Sequence, residues 1–155
     1  MTHILPATSN DIPDLIRIIA DVFDEYGWIF RAEDELPDFL DYDAWYVGTP
    51  HRLFTLWKDE ARIGCIAVKV GNEGAYLSRV YVSRSERGQG FGRMVVEFAI
   101  EEARNQGHSH IHLWTDTRFE TAHKLYEATA FERQEGIRSL HDTNISFEFR
   151  YDRDI

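Results

Sequence analysis

The stretch VSRSERGQGFGRM, Val82 to Met94, sets glycines at 88, 90 and 92 between a short apolar run and an apolar helical pattern. Glycine weakens regular structure, so alternate glycines need a local cause. A strand that ends in a glycine-rich turn and opens a helix leaves several backbone N–H groups bare around one point. The helix dipole adds positive potential there. Such a corner holds anions, a pyrophosphate above all. The sequence therefore predicts an anion cradle formed by Arg87, Gly88, Gln89, Gly90, Phe91 and Gly92, with Arg87 and Arg93 adding charge. A plain surface turn ahead of a helix is the competing reading. Two phosphate loops are excluded by inspection. There is no Gly-Lys-Ser/Thr, and the spacing is Gly-x-Gly-x-Gly rather than Gly-x-Gly-x-x-Gly.

The periodicity on either side of this turn organises the chain. His3 to Ala7 suits a short first strand. SNDIPDLIRIIADVFDEYG follows, with Ser9 or Asn10 as cap, and Ile12, Leu15, Ile18, Ile19, Val22 and Phe23 make one apolar stripe at helical spacing. The acidic and aromatic segment WIFRAEDELPDFLDYDAWYVGTP reads as a short helix with loops. HRLFTLWKDEARIGCIAVKV reads as two strands joined by a tight turn around Asp59 and Glu60, and Ala75 to Val82 as a third strand. Gly92 to Gln106 is helical, with Met94, Val95, Phe98, Ala99 and Ala103 on one side. HIHLWTDT is a strand, FETAHKLYEATAF a second helical pattern, and IRSLHDTNISFEFRYD closing strand material. A helix between two strands makes the middle of this α/β arrangement parallel.

Size and charge bound the function. A chain of 155 residues suits one domain with a sizeable core, and 43% hydrophobic and 14% aromatic content argue against disorder. A net charge of −10 disfavours a nucleic-acid partner and suits a cationic one. The single cysteine, Cys65, excludes an internal disulfide framework and fits a reducing compartment. With no charged-then-apolar leader and no apolar run long enough for a bilayer, a soluble cytoplasmic protein without a membrane partner is expected.

Two motifs carry a family resemblance. Arg87-x-x-Gly90-x-Gly92 resembles the (Gln/Arg)-x-x-Gly-x-(Gly/Ala) motif of the GNAT superfamily of N-acetyltransferases, and AHKLYEATAF resembles its A-x-x-L-Y-E-x-x-G-F signature. The resemblance is clear from about Leu77 to Phe131. It implies a single domain over residues 1–155, with a mixed, mostly antiparallel central sheet, a parallel strand pair in its middle, and helices on both faces. It also implies acetyl-CoA as co-substrate and direct acetyl transfer to an amine of a small molecule or a peptide. By this resemblance the pyrophosphate rests on the 87–92 turn, and the pantetheine arm runs beside Val80, Tyr81 and Val82 like an added strand. A main-chain N–H near Val80 or Tyr81 then holds the thioester oxygen as it becomes anionic. Tyr126 falls where the family places a tyrosine near the sulfur, and a phenol suits a departing thiolate. The competing reading is a core aromatic sharing one helix face with Ala122 and Leu125. A non-catalytic CoA-binding or protein-interaction module of the same fold is the alternative function. A homodimer is common in the family, and the sequence does not decide it.

The sequence departs from the family in three places. Tyr76 stands where some members carry a basic glutamate, so the proton acceptor is unassigned among Glu25, Tyr26, Asp116 and the histidines near the motif strand. Ala130 replaces the glycine before the final Phe, so that turn must manage without glycine's freedom at positive φ. Phe119 replaces an asparagine at the start of the last helix. The segment holding Asp24, Glu25, Tyr26, Trp28, Phe30, Glu33, Asp34 and Glu35 falls where the family builds its acceptor wall, and carboxylates beside aromatic rings suit an ammonium group. It reads equally as a solvated helix face. His108, His110 and His112 alternate as metal ligands can, but a strand presents them nearly parallel. Ordinary half-exposed histidines, and no metal, are expected. Cys65, in an apolar strand, reads as a buried inert thiol.

Overall fold

The computed structural model describes residues 1–155. In chain order the elements are β1 (Thr2–Pro6), α1 (Ile12–Glu25), α2 (Ala32–Glu35), α3 (Pro37–Leu40), α4 (Tyr42–Tyr46), β2 (Arg52–Lys58), β3 (Ala61–Gly71) and β4 (Gly74–Val82). There follow α5 (Phe91–Asn105), β5 (His110–Asp116), α6 (Glu120–Ala128), β6 (Glu132–Arg133), β7 (Arg138–Ser139) and β8 (Phe147–Asp154). The strands form one sheet in the order β1-β2-β3-β4-β5-β8-β6, with β7 also on β8. Every strand pair is antiparallel except β4 with β5.

Ile63 to Lys69 of β3 is buried without interruption, as an inner strand covered on both faces requires. The period-2 alternation divides its side chains and those of β2 between two cores. Leu53, Cys65 and Ala67 pack with Leu15, Ile19 and Phe23 of α1. Phe54, Leu56, Ile66 and Val68 pack with Val95, Val96, Ala99 and Ile100 of α5, and Tyr126 of α6 joins this side. The helices thus cover both faces of a mixed sheet.

Some local expectations need correction. α1 is preceded by a single 3-10 turn, Ser9–Asp11, which Thr8 caps, and Asp11 rather than Ser9 or Asn10 stands at the cap of α1 itself. The Thr8 N–H donates to the Asp11 carboxylate at 2.8 Å. Met94 is exposed, because the buried stripe of α5 runs through Phe91, Val95, Val96, Ala99, Ile100 and Ala103. The acidic segment folds as three short helices, α2 to α4. Ala130 adopts the left-handed conformation itself, with φ +66, after the last turn of α6. An L-residue pays about 1 kcal/mol for that geometry and glycine does not. Ala130 is exposed, so no packing is lost with its methyl. Ala130→Gly is expected to stabilise the protein by about 1 kcal/mol, read as a higher urea midpoint. A lower midpoint would show that the turn carries no strain.

The functional wedge comes from one irregularity. β4 pairs with β5 only from Ala75↔Ile111 to Leu77↔Leu113. Beyond Leu77 a bulge intervenes. Ala67 faces Ser78 and Cys65 faces Tyr81, so β4 carries one residue more than β3 over that interval. Arg79 sits in the bulge at φ +56. A bulge bends its strand, and here β4 turns away from β5. β5 meanwhile stays paired with β8 as far as Asp116↔Glu148. The sheet opens between residues 78–82 and 114–116.

Candidate active site

The bulge is held from outside the sheet. Asp38 of α3 is fully buried, and its Oδ1 accepts from Arg79 Nη2 at 2.7 Å. Its Oδ2 accepts from the Tyr46 hydroxyl and lies 3.0 Å from Lys69 Nζ. Burial alone would push the Asp38 carboxyl up, but the Arg79 hydrogen bond and the charges of Arg79 and Lys69 outweigh it and hold the carboxyl well below the usual range. Burial, followed by the Arg79 charge, lowers the affinity of Lys69 for its proton. Gly64 serves the same corner from β3, since a Cβ there would meet the Tyr81 carbonyl oxygen at 2.5 Å. None of Asp38, Lys69 or Gly64 stood out in the sequence.

Two cavities meet in the wedge. The first, about 420 Å³, is lined by Val80, Tyr81 and Val82 of β4 and by Arg87, Gly88, Gly90, Phe91, Gly92 and Arg93 of the glycine turn. Gly88 and Gly90 have φ of +78 and +85, a region that other residues enter at a cost. Gly92 is helical, and a Cβ there would press on Leu125 at 3.1 Å, so it lets α5 approach α6. The backbone N–H groups of residues 88 to 93 find no acceptor in the protein. Gln89 does not line the cavity, and its amide donates to Glu86 at 3.1 Å. Arg93 pairs with Glu97 on the helix surface. Arg87 donates to both oxygens of Glu25, at 2.8 and 2.9 Å. This set, with bare donors, two arginines and room for the chain beside β4, fits a diphosphate and its pantetheine arm.

The second cavity, about 320 Å³, shares Val80, Tyr81, Phe119, Ala122 and Tyr126 with the first. Its remaining wall carries Trp28, Tyr76 and Trp114 and four carboxylates, Glu35, Asp116, Asp142 and Glu148. Three of these are engaged. Asp116 takes the Arg118 guanidinium at 2.7 and 2.8 Å, Glu148 takes Arg138 at 2.7 and 2.9 Å, and Asp142 takes the N–H and hydroxyl of Ser146 at 2.6 and 2.8 Å. Phe119 forms a roof with Tyr26 and Trp28, at centroid distances of 5.2 and 5.4 Å, and Arg118 stacks on Trp28 at 3.9 Å. The asparagine position thus became an aromatic bridge between α1 and α6.

Tyr126 stands where the cavities join. It is 5% exposed, and its hydroxyl makes no hydrogen bond with any protein group. Burial, with the nearby Tyr81 and Tyr151 hydroxyls, raises it well above an ordinary phenol, so it stays protonated at neutral pH. Burial also pushes Tyr81 up to about 12, with Glu35 and Glu148 adding negative potential.

The other residues singled out in the sequence separate clearly. Glu25 belongs to the cradle through Arg87. Asp116 is tied to Arg118. His108 precedes β5, His110 bridges Asp154 and Asp152 at 2.9 and 2.8 Å, and His112 is buried against Tyr76 at 5.5 Å. These histidines therefore do not converge, and no group of three potential ligands is arranged to hold a metal. Burial pushes the Cys65 thiol up to about 12, which makes it inert. No helix is long and apolar enough to cross a membrane.

Known proteins share this arrangement. Residues 19–131 match the model of the acetyltransferase (GNAT) family. Similar solved structures include a GNAT-family acetyltransferase from Staphylococcus aureus Mu50, with 18% identity over 99% of both chains and a TM-score of 0.84. The PaiA N-acetyltransferase of Thermoplasma acidophilum, solved with coenzyme A, has 15% identity over 100% of this chain and 99% of its own, with a TM-score of 0.80. The yncA protein of Salmonella typhimurium, solved with its cofactor acetyl-CoA, has 15% identity over 99% of this chain and 93% of its own, with a TM-score of 0.77. At these identities the likeness is one of fold. No curated protein sequence matches the chain. Because the family model spans most of the sequence, including the glycine turn and the Tyr126 helix, the chain belongs to the GNAT family of acetyltransferases and is an acyltransferase.

Proposed function

We propose that the enzyme transfers the acetyl group of acetyl-CoA to a primary amine by direct attack of the neutral amine. The observation that supports this best is the meeting of two unlike cavities at Tyr126, one walled by free N–H groups and the other by carboxylates and aromatic rings. Acetyl-CoA supplies an activated acyl carbon and a thiol leaving group. The N–H groups of residues 88 to 93, with Arg87 and Arg93 nearby, hold the diphosphate. The unpaired edge of Val80, Tyr81 and Val82 aligns the pantetheine, and an N–H at Val80 or Tyr81 stabilises the carbonyl oxygen as charge develops on it. The Tyr126 hydroxyl faces the departing sulfur and supplies it with a proton. The acceptor enters from the acidic and aromatic side.

The test is a calorimetric titration with acetyl-CoA, followed by a panel of small-molecule and peptide amines monitored for CoA release. Micromolar binding with release on some amine is expected. Binding without release on any amine would instead favour a non-catalytic module.

Glu25 gives a separate expectation. Its carboxylate occupies Arg87 and brings negative charge to the cradle. Removing one competing charge at a partly shielded site is worth about 1 kcal/mol, or about fivefold. Glu25→Gln should therefore tighten acetyl-CoA about fivefold, and the gain should shrink in high salt. Weaker binding would show that Glu25 positions Arg87 rather than competing for it.

A further inference from the structure

The acceptor cavity contains one carboxylate that differs from the rest. Asp116 and Asp142 spend both oxygens on protein donors, and Glu148 is tied through its Oε1 to the Arg138 guanidinium. Glu35, at the end of α2, is half-buried in the same wall and has neither a hydrogen bond nor an ion pair. An unengaged carboxylate at a partly buried position is uncommon, because desolvation is then uncompensated.

The groups around Glu35 reinforce this. Burial first, then the Asp142 charge across the cavity and Asp34 on its own helix, raise its affinity for a proton, while Arg79 opposes them. Arg79 is itself committed to Asp38. Glu35 is thus held above the ordinary glutamate range, which makes it a better proton acceptor than a solvated carboxylate. Its charge reaches Tyr81, which borders the cofactor cavity.

We propose that Glu35 is the catalytic base, contacting the acceptor's ammonium group and taking one of its protons directly or through one water. This rests on the acetyl-transfer reading of the cleft. The step balances as follows. The ammonium gives one proton to Glu35, and the freed nitrogen lone pair forms the C–N bond to the acetyl carbon. The C–S bonding pair leaves with sulfur, which takes a proton from Tyr126. The phenol is restored by the second proton that the nitrogen sheds, and Glu35 releases its proton to solvent. Glu35 and Asp142 also select a cationic acceptor, with Trp28 and Phe119 facing its carbon body.

The test uses Glu35→Gln in the full chain, with tyramine, a linear diamine, lysine, an alanyl peptide and trifluoroethylamine as acceptors. The last is a weak base that is already largely neutral at neutral pH. The variant should bind acetyl-CoA as the wild type does, lose about 100-fold in kcat/KM on the basic amines, and lose the acidic limb of the pH profile. The deficit should shrink on trifluoroethylamine, which needs no such base. Wild-type-like turnover with the same limb would overturn the proposal. So would an equal loss on every amine, because a merely structural residue behaves that way. A wild-type chain that binds acetyl-CoA but acetylates none of the five would refute the cationic acceptor and the role of Glu35, leaving the cradle intact. One that binds no acetyl-CoA would refute the underlying reading and this proposal with it.

Discussion

Asp38→Ala should cost about 3–5 kcal/mol of stability, the penalty for removing one partner of a buried ion cluster. Lys69, 4% exposed, would lose its only counter-charge, and Arg79 would lose both of its side-chain hydrogen bonds. Urea denaturation with a lowered midpoint checks the magnitude. The position of the damage also carries functional weight. Arg79 is the bulge residue at φ +56, so freeing its side chain loosens the point at which β4 leaves β5. Acetyl transfer by the fraction that remains folded should fall as well. A loss below about 1 kcal/mol would show the cluster to be dispensable. The pH dependence has a definite sign. The Asp38 carboxyl is held below its unfolded value, so its contribution is complete above the ordinary aspartate range, about pH 4, and is lost as pH falls further toward its folded value. Asp38→Ala should thus flatten the acid limb of the stability profile.

Tyr126→Phe is expected to reduce turnover about 100-fold while leaving acetyl-CoA affinity within about twofold. The structure makes this substitution unusually informative. The hydroxyl has no protein partner, so its removal strands no donor or acceptor, and the ring keeps its packing against Phe131 and Tyr151. Stability should be unchanged or slightly higher. A purely structural aromatic would show the same stability result with undiminished turnover, and that outcome would remove Tyr126 as the acid. Urea unfolding and steady-state kinetics on one preparation give both answers.

These two residues mark what sequence could and could not disclose. The position of Tyr126 on a helix lining the cleft was legible because its neighbours form a local motif of regular period. The glycine turn was legible for a similar reason, since Gly88, Gly90 and Gly92 are anomalous where they stand and the structure gives each a cause. The parallel pairing of β4 with β5 followed from topology, because a helix joins them, whereas the bulge at Arg79 that opens the sheet carried no signal in the sequence. Asp38 was invisible. Its partners Arg79 and Lys69 lie in other elements, Arg79 41 positions away, and a lone aspartate in an acidic stretch reads as solvated surface. The same stretch hid its helices, because α2, α3 and α4 span only four or five residues each and show no period. Glu35 lay in the acidic segment read as an acceptor wall, but its distinction is the absence of a partner, which only three dimensions reveal. Phe119 was read only as a departure from the family's asparagine because a motif records what is missing, whereas packing against Tyr26 and Trp28 depends on α1. Met94 was placed inside because a one-position error in helical phase moves a side chain by a large angle.

The proposed grip of the 88–93 backbone on the diphosphate can be tested directly. Amide ¹H–¹⁵N spectra of the labelled protein would be recorded during titration with acetyl-CoA and, separately, with S-acetylpantetheine, which lacks the diphosphate. The expected result is large shifts of the Gly88, Gly90 and Gly92 amides with acetyl-CoA and small ones with S-acetylpantetheine. Unmoved glycine amides under saturating acetyl-CoA, or equal responses to the two compounds, would contradict it.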